Sequence, residues 1–127
     1  MSNPRDQKAL SGCRILIVED DSLLAFDIAE FLEDVGARSV GPFATMVEAL
    51  DGMSKFDAVD GAILDIGLGD QTSYPLAEAL QTTGIPFLFL SGTNRVSLPT
   101  RFERTSHVLK PHSEAELLRE LLKLNMC

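Results

Sequence analysis

The chain alternates short unbroken apolar runs with longer stretches in which apolar side chains recur every three or four positions. "RILIV" (Arg14–Val18) is a β-branched run of strand length. Leu24, Ile28, Phe31 and Val35 follow at spacings of four, three and four, which is one face of a helix, and Gly36 closes it. "ARSVGPF" (Ala37–Phe43) reads as a weaker strand whose Pro42 suits a strand end or a sheet edge. Thr45 and Glu48 form a capping box for a second helix. "GAILDI" (Gly61–Ile66) is a third strand. Pro75 stands where helices start, and Gly84 stops "PLAEALQTTG". "PFLFLSG" (Pro86–Gly92) and "SHVLK" (Ser106–Lys110) supply a fourth and a fifth strand. Ser113 with Glu116 caps a last helix filled by Leu117, Leu118, Leu121, Leu122 and Leu124.

Strand and helix thus alternate about five times, which predicts an α/β fold with a parallel sheet and helices on both faces. Strands buried on both faces read as continuous apolar runs, as "RILIV" and "PFLFL" do. The 127 residues suit one domain. Residues 1–12 read as a flexible polar leader and 13–127 as the domain, with no room after the last helix for another.

No apolar run approaches the roughly 18–20 residues of a membrane span, so no membrane partner is expected. The N-terminus lacks the apolar centre of a secretory signal, and the expected location is cytoplasmic. Cys13 and Cys127 sit near opposite ends, and free thiols of a reducing compartment are expected rather than a disulfide framework. The charge, 11 Lys plus Arg against 19 Asp plus Glu for a net of −8, argues against nucleic acid. It suits a cation or a basic partner surface, and equally plain solubility.

In open α/β sheets the ligand lies beyond the carboxyl ends of the strands. Glu19, Asp20 and Asp21 follow the first strand, Asp65 ends the third, Ser91 and Gly92 end the fourth, and Lys110 with Pro111 ends the fifth. Singly each has a plain structural reading. Asp20, Asp21 or Ser22 would cap a helix, Asp65 would form a turn, and Ser91–Gly92 would open a loop. Together they share one end of their strands. Clustered carboxylates raise one another's pKa unless a cation joins them, and oxygen ligands with room for water suit Mg²⁺. A carboxylate beside Mg²⁺ can attack phosphorus and form an aspartyl phosphate. Lys110 would add a positive charge and Ser91 a hydroxyl donor for the phosphoryl oxygens. Gly67, Gly69 and Gly92 leave the backbone room to approach.

"ILIVEDD", "ILDIGLGD", "FLFLSG" and "VLKP", in this order and at these separations, resemble the response-regulator receiver domain of two-component signalling over roughly residues 13–125. The resemblance implies a flavodoxin-like five-stranded parallel sheet in order 2-1-3-4-5 with five helices. It implies Asp65 as phosphoacceptor and Glu19 and Asp20 as the acidic pair, Asp20 being the direct Mg²⁺ ligand. Gly67 would lend its backbone carbonyl to the metal, and Ser91 and Lys110 would contact the phosphoryl group. A sensor histidine kinase or phosphotransfer protein would be the donor, and the chain would catalyse only its own phosphorylation and dephosphorylation. Phosphorylation would draw Ser91 inward together with an aromatic residue of the fifth strand. That position holds His107, smaller than the family's usual Tyr or Phe and able to ionise; it reads equally as a satisfied strand histidine. His112 reads as a solvated loop residue.

Two further departures matter. "TNRVSLPTRFERT" is short for the family and carries Pro99, so the fourth helix is expected to be short or irregular. Gly67 and Thr93, at positions that tune dephosphorylation, offer no carboxamide or acid to an attacking water, so no strong self-hydrolysis is expected. "SYPLAEAL" and "GIPFLFLSG" resemble stand-alone receivers of alphaproteobacteria. Such a chain would act through an unidentified downstream protein and allows a phosphorylation-dependent dimer. Two alternatives stand beside this reading. A pseudo-receiver would bind partners without phosphorylation, against which the intact Asp20, Asp65, Ser91 and Lys110 set argues. An aspartyl-nucleophile phosphatase of the haloacid dehalogenase type would need an acid where Gly67 stands.

Overall fold

The five apolar runs pair side by side in a computed structural model, which describes residues 9–55, 59–92, 98–110 and 113–127. They are β1 (Arg14–Val18), β2 (Arg38–Phe43), β3 (Gly61–Asp65), β4 (Phe87–Ser91) and β5 (Ser106–Leu109). All neighbours are parallel, in the order β2-β1-β3-β4-β5. This is the expected order. β2 lies at an edge, which is where Pro42 can omit a ladder hydrogen bond.

Among the described residues four α-helices cover the sheet: α1 (Ser22–Asp34), α2 (Met46–Lys55), α3 (Tyr74–Thr82) and α4 (Glu114–Leu122). Alternate strand residues point to opposite faces, so each strand feeds two cores. Ile15, Ile17, Ile63, Leu88, Leu90 and Val108 pack with Ile28 and Phe31 of α1 and Leu117 and Leu121 of α4. Leu16, Val18, Leu64 and Phe89 pack on the other side with Ala49 of α2 and Leu76 and Leu80 of α3. β3 and β4 are buried at every position, which is why they read as unbroken apolar runs.

The helix starts follow the expected chemistry. The Glu48 N–H donates to Thr45 Oγ1 at 3.1 Å and the Glu116 N–H to Ser113 Oγ at 3.0 Å. Gly36, with φ +91°, takes the left-handed conformation just past α1.

The region of the expected fourth helix contains, among the described residues, only a 3₁₀ turn at Thr100–Phe102 after Pro99. Phe102 is buried there against Tyr74, Phe87 and Phe89, with ring centroids 5.4–6.1 Å apart. Before β1, Leu10 is already buried, and its N–H donates to the Val35 carbonyl at 3.0 Å. Residues 1–8 of the leader lie outside the described residues.

The cysteines correct an expectation. Cys13 and Cys127 are not free thiols but are joined as a disulfide, with Cα atoms 5.7 Å apart across 114 positions. The start of β1 and the segment after α4 meet at one edge of the sheet, a closeness that sequence separation hides.

Candidate functional site

Strand register brings the acids together. β1 pairs with β3 so that Val18 stands beside Leu64, and the next residues, Glu19 and Asp65, emerge together at the carboxyl edge. β4 sets Leu90 beside Asp65, and β5 sets Leu109 beside Ser91, which brings Lys110 in next. The Lys110 N–H donates to the Ser91 carbonyl at 2.7 Å and fixes that corner.

Three of the expected residues make direct contact. Lys110 Nζ lies 2.8 Å from Glu19 Oε1 and donates to Asp65 Oδ2 at 3.0 Å. Glu19 and Asp65 are only 2% and 5% exposed. Asp20 is exposed, and its Oδ2 accepts from the Gly69 N–H at 3.1 Å. One carboxylate oxygen from each of Glu19, Asp20 and Asp65 lies within 4.8 Å of the others. The neighbouring acid has another task. Asp21 Oδ1 accepts from the N–H groups of Leu23 and Leu24, at 3.0 and 3.2 Å, and is the cap of α1. The sequence left this role open among Asp20, Asp21 and Ser22, and the structure gives it to Asp21. The Asp21 N–H donates to Glu19 Oε2 at 3.0 Å, which orients the buried acid.

Charge at the site is unbalanced. Burial pushes the Asp65 carboxyl up to about 7; the Glu19 carboxylate adds to this and Lys110 opposes it. Burial alone would lower the Lys110 pKa, but Glu19 and Asp65 outweigh it and hold the ammonium above its usual range. For Asp20, burial is outweighed by hydrogen bonds, chiefly from the Gly69 N–H, so its carboxyl lies below the usual range. Three carboxylates facing one ammonium form an oxygen-only donor set with surplus negative charge, which fits a hard divalent cation such as Mg²⁺.

The remaining expected residues are arranged around this core. Ser91 is buried at the end of β4. Gly67 begins a small hairpin beside the site, in which Gly67–Leu68 pairs antiparallel with Gln71–Thr72. His107 lies further down β5, opposite Phe89 and on the same face as the aromatic cluster. It is half-buried, burial lowers its pKa, and its Nε2 has no hydrogen-bond partner among the described residues. Thr93, Pro111 and His112 lie outside the described residues.

The hairpin and its hold on Asp20 were missed in the sequence. Their signal was there: Gly69–Asp70 is a two-residue loop with glycine first, and Gly69 adopts φ +66°.

The receiver-domain family, described as "Response regulator receiver domain", matches residues 15–122. The solution structure of SdrG from Sphingomonas melonis Fr1 is 36% identical, with a TM-score of 0.78 over 90% of this chain and 97% of that one. A CheY-like response regulator receiver domain from Methylobacillus flagellatus is 25% identical, with a TM-score of 0.76 over 90% and 99% of the two chains. The response regulator PhyR from Brucella abortus is also 25% identical at a TM-score of 0.76, over 91% of this chain and 48% of that one. A curated relative, the uncharacterized transcriptional regulatory protein YbdJ of Bacillus subtilis (strain 168), is 28% identical over 113 residues. These make up 86% of this chain and 49% of that protein, so the chain spans about half the length of the curated relative it matches. A parallel sheet in this strand order, an acid cluster on its carboxyl edge and a family match over most of the sequence agree: the chain belongs to the response regulator receiver domain family.

Proposed function

We propose that this chain is a phosphorylatable, cytoplasmic response regulator receiver. It accepts a phosphoryl group on Asp65 from a sensor histidine kinase or phosphotransfer protein and signals through contacts with a downstream protein. The observation that carries this reading is the Asp65 carboxylate at the carboxyl edge of the central strand. Lys110 donates to it at 3.0 Å, and Glu19 and Asp20 each bring an oxygen to within 4.8 Å.

In the transfer, an Asp65 carboxylate oxygen forms the new bond to phosphorus as the donor's phosphorus–nitrogen bond breaks. The electron pair of that bond stays on the imidazole nitrogen. Lys110 turns its ammonium to the transferred oxygens, and the Ser91 hydroxyl donates to them from the neighbouring strand end. Glu19, Asp20, Asp65 and the Gly67 carbonyl would hold Mg²⁺, which supplies neutralisation of phosphoryl charge when bound. Movement of Ser91 toward the new dianion, followed by His107, is the proposed switch. Gly67 and Thr93 offer no carboxamide or acid to position a hydrolytic water, so the phosphorylated state decays slowly.

Intact-mass measurement after incubation with Mg²⁺ and a small acyl phosphate tests the reading. One added phosphoryl group is expected, absent in Asp65→Asn and absent with a chelator. A folded, Mg²⁺-supplied protein that takes up none from any donor would sink the proposal and favour a pseudo-receiver.

A further inference from the structure

Cys13 precedes β1 and is fully buried, whereas Cys127 is exposed. Their Cα separation of 5.7 Å lies within the span a disulfide bridges without backbone movement. Leu124 and Met126 pack against the same core cluster as Cys13. Met126 also covers Gly61 at the start of β3, where any added Cβ would run into the Met126 sulfur. Residues 123–127 therefore lie across the amino ends of β1 and β3.

The two ends of α4 are consequently tied to the two ends of one strand. Lys110, ahead of α4, pairs with Glu19 directly after β1. Cys127, after α4, is bonded to Cys13 directly before β1. A chain of this size with two packed core layers does not need a cross-link in order to fold. The bond is a constraint added to a sufficient core, and one of its sulfurs belongs to an exposed residue.

We propose that the Cys13–Cys127 bond is a redox-reversible clasp that sets how firmly α4 and residues 123–127 are seated on the sheet, and that its reductant is a dithiol. A thiolate of the dithiol attacks the Cys127 sulfur. The sulfur–sulfur electron pair leaves on Cys13, which takes up a proton. The second thiol of the reductant, as thiolate, attacks its partner sulfur in the mixed disulfide and releases Cys127. Two electrons reach the protein, and the reductant departs as a disulfide. Nothing in the clasp requires phosphorylation of Asp65.

The test compares the purified protein after oxidised glutathione with the same protein after dithiothreitol. Under denaturing conditions, thiol alkylation should add no group to the oxidised monomer and two to the reduced one. Amide exchange within residues 121–127 should be about tenfold faster in the reduced form, a modest effect for a cross-link of this kind, with β3 unchanged. Cys127→Ser in oxidant should exchange as the reduced wild type does. Two alkylatable thiols after oxidation, a bond between two copies, or equal exchange in both redox states would each overturn the proposal. None of these readouts involves the phosphoacceptor, so they are decided separately from the receiver chemistry.

Discussion

The same strands end in two different ways. At the carboxyl edge, β1, β3 and β5 run out into Glu19, Asp65 and Lys110, charged groups held at low exposure with more negative than positive charge between them. At the amino edge, β1 and β3 begin under Cys13, Met126 and Leu10, with apolar and covalent contacts, and the Asp60 carboxylate there accepts from the Arg14 N–H at 2.8 Å. Between the edges the strands are alike, with Ile15 to Val18 and Ala62 to Leu64 all fully buried. One edge is therefore closed and low in energy. The other keeps an electrostatic cost, visible in the raised Asp65 pKa, that a proton or an arriving cation would relieve. A rigid floor with one satisfied and one unsatisfied end is how a small fold concentrates chemistry in a single place.

Removing the shared floor should hit both edges at once. Leu64→Ala, directly before Asp65, is expected to cost about 2–5 kcal/mol in urea unfolding, through lost burial and a residual cavity. A cost confined to the acidic edge, with the fold unweakened, would break the comparison.

Opening the amino edge alone is expected to cost somewhat less. Cys127→Ser, compared with the oxidised wild type, should lower unfolding stability by about 2–4 kcal/mol, the range for cross-links that close long loops. The same substitution should leave unchanged the phosphoryl uptake proposed for Asp65, since the acids lie at the far ends of the strands.

The carboxyl edge should behave in the opposite sense. Asp65 holds its proton in the fold up to about pH 7, whereas the unfolded carboxyl loses it near 3.8. The folded state binds the extra proton across that window. The stability this contributes is complete below the lower value and is lost as pH rises through the upper one. Urea midpoints of the metal-free wild type, measured against Asp65→Asn, should therefore fall between about pH 4 and 7; a rise would contradict the assigned electrostatics. Above that window Mg²⁺ should restore stability, by up to about 2.7 kcal/mol at a hundredfold excess over its Kd.

The smallest effect belongs to neither edge. Arg101 and Glu78 form an ion pair with both side chains more than half exposed. Arg101→Ala should change stability by less than about 1 kcal/mol in the same urea assay. A larger loss would mean that the surface near the 3₁₀ turn carries part of what is here assigned to the edges.

Much of this contrast was legible in the residues. The five strands showed as unbroken apolar runs because both faces of the sheet are covered. Asp65, Asp20 and Lys110 showed because a charge at the end of such a run has to leave the core at the carboxyl edge of the sheet. What stayed hidden depended on closeness without periodicity. Cys13 and Cys127 carry no pattern that announces their meeting. Phe102 leaves its aromatic partners unnamed, and Gly69 gives no side-chain sign that its amide will find Asp20. Capping was legible as a type of chemistry but not to the residue, since Asp21 rather than Asp20 or Ser22 does the work.

The Gly69 contact has one more consequence. Asp20 brings one carboxylate oxygen to the acid cluster, and its Oδ2 accepts from the Gly69 amide. A cation drawing on that carboxylate would withdraw electron density from the bond to the hairpin. The Gly69 amide proton is thus a spectroscopic gauge built into the loop. Its resonance should shift in step with Mg²⁺ titration, reading site occupancy from a backbone position that adds no side chain of its own.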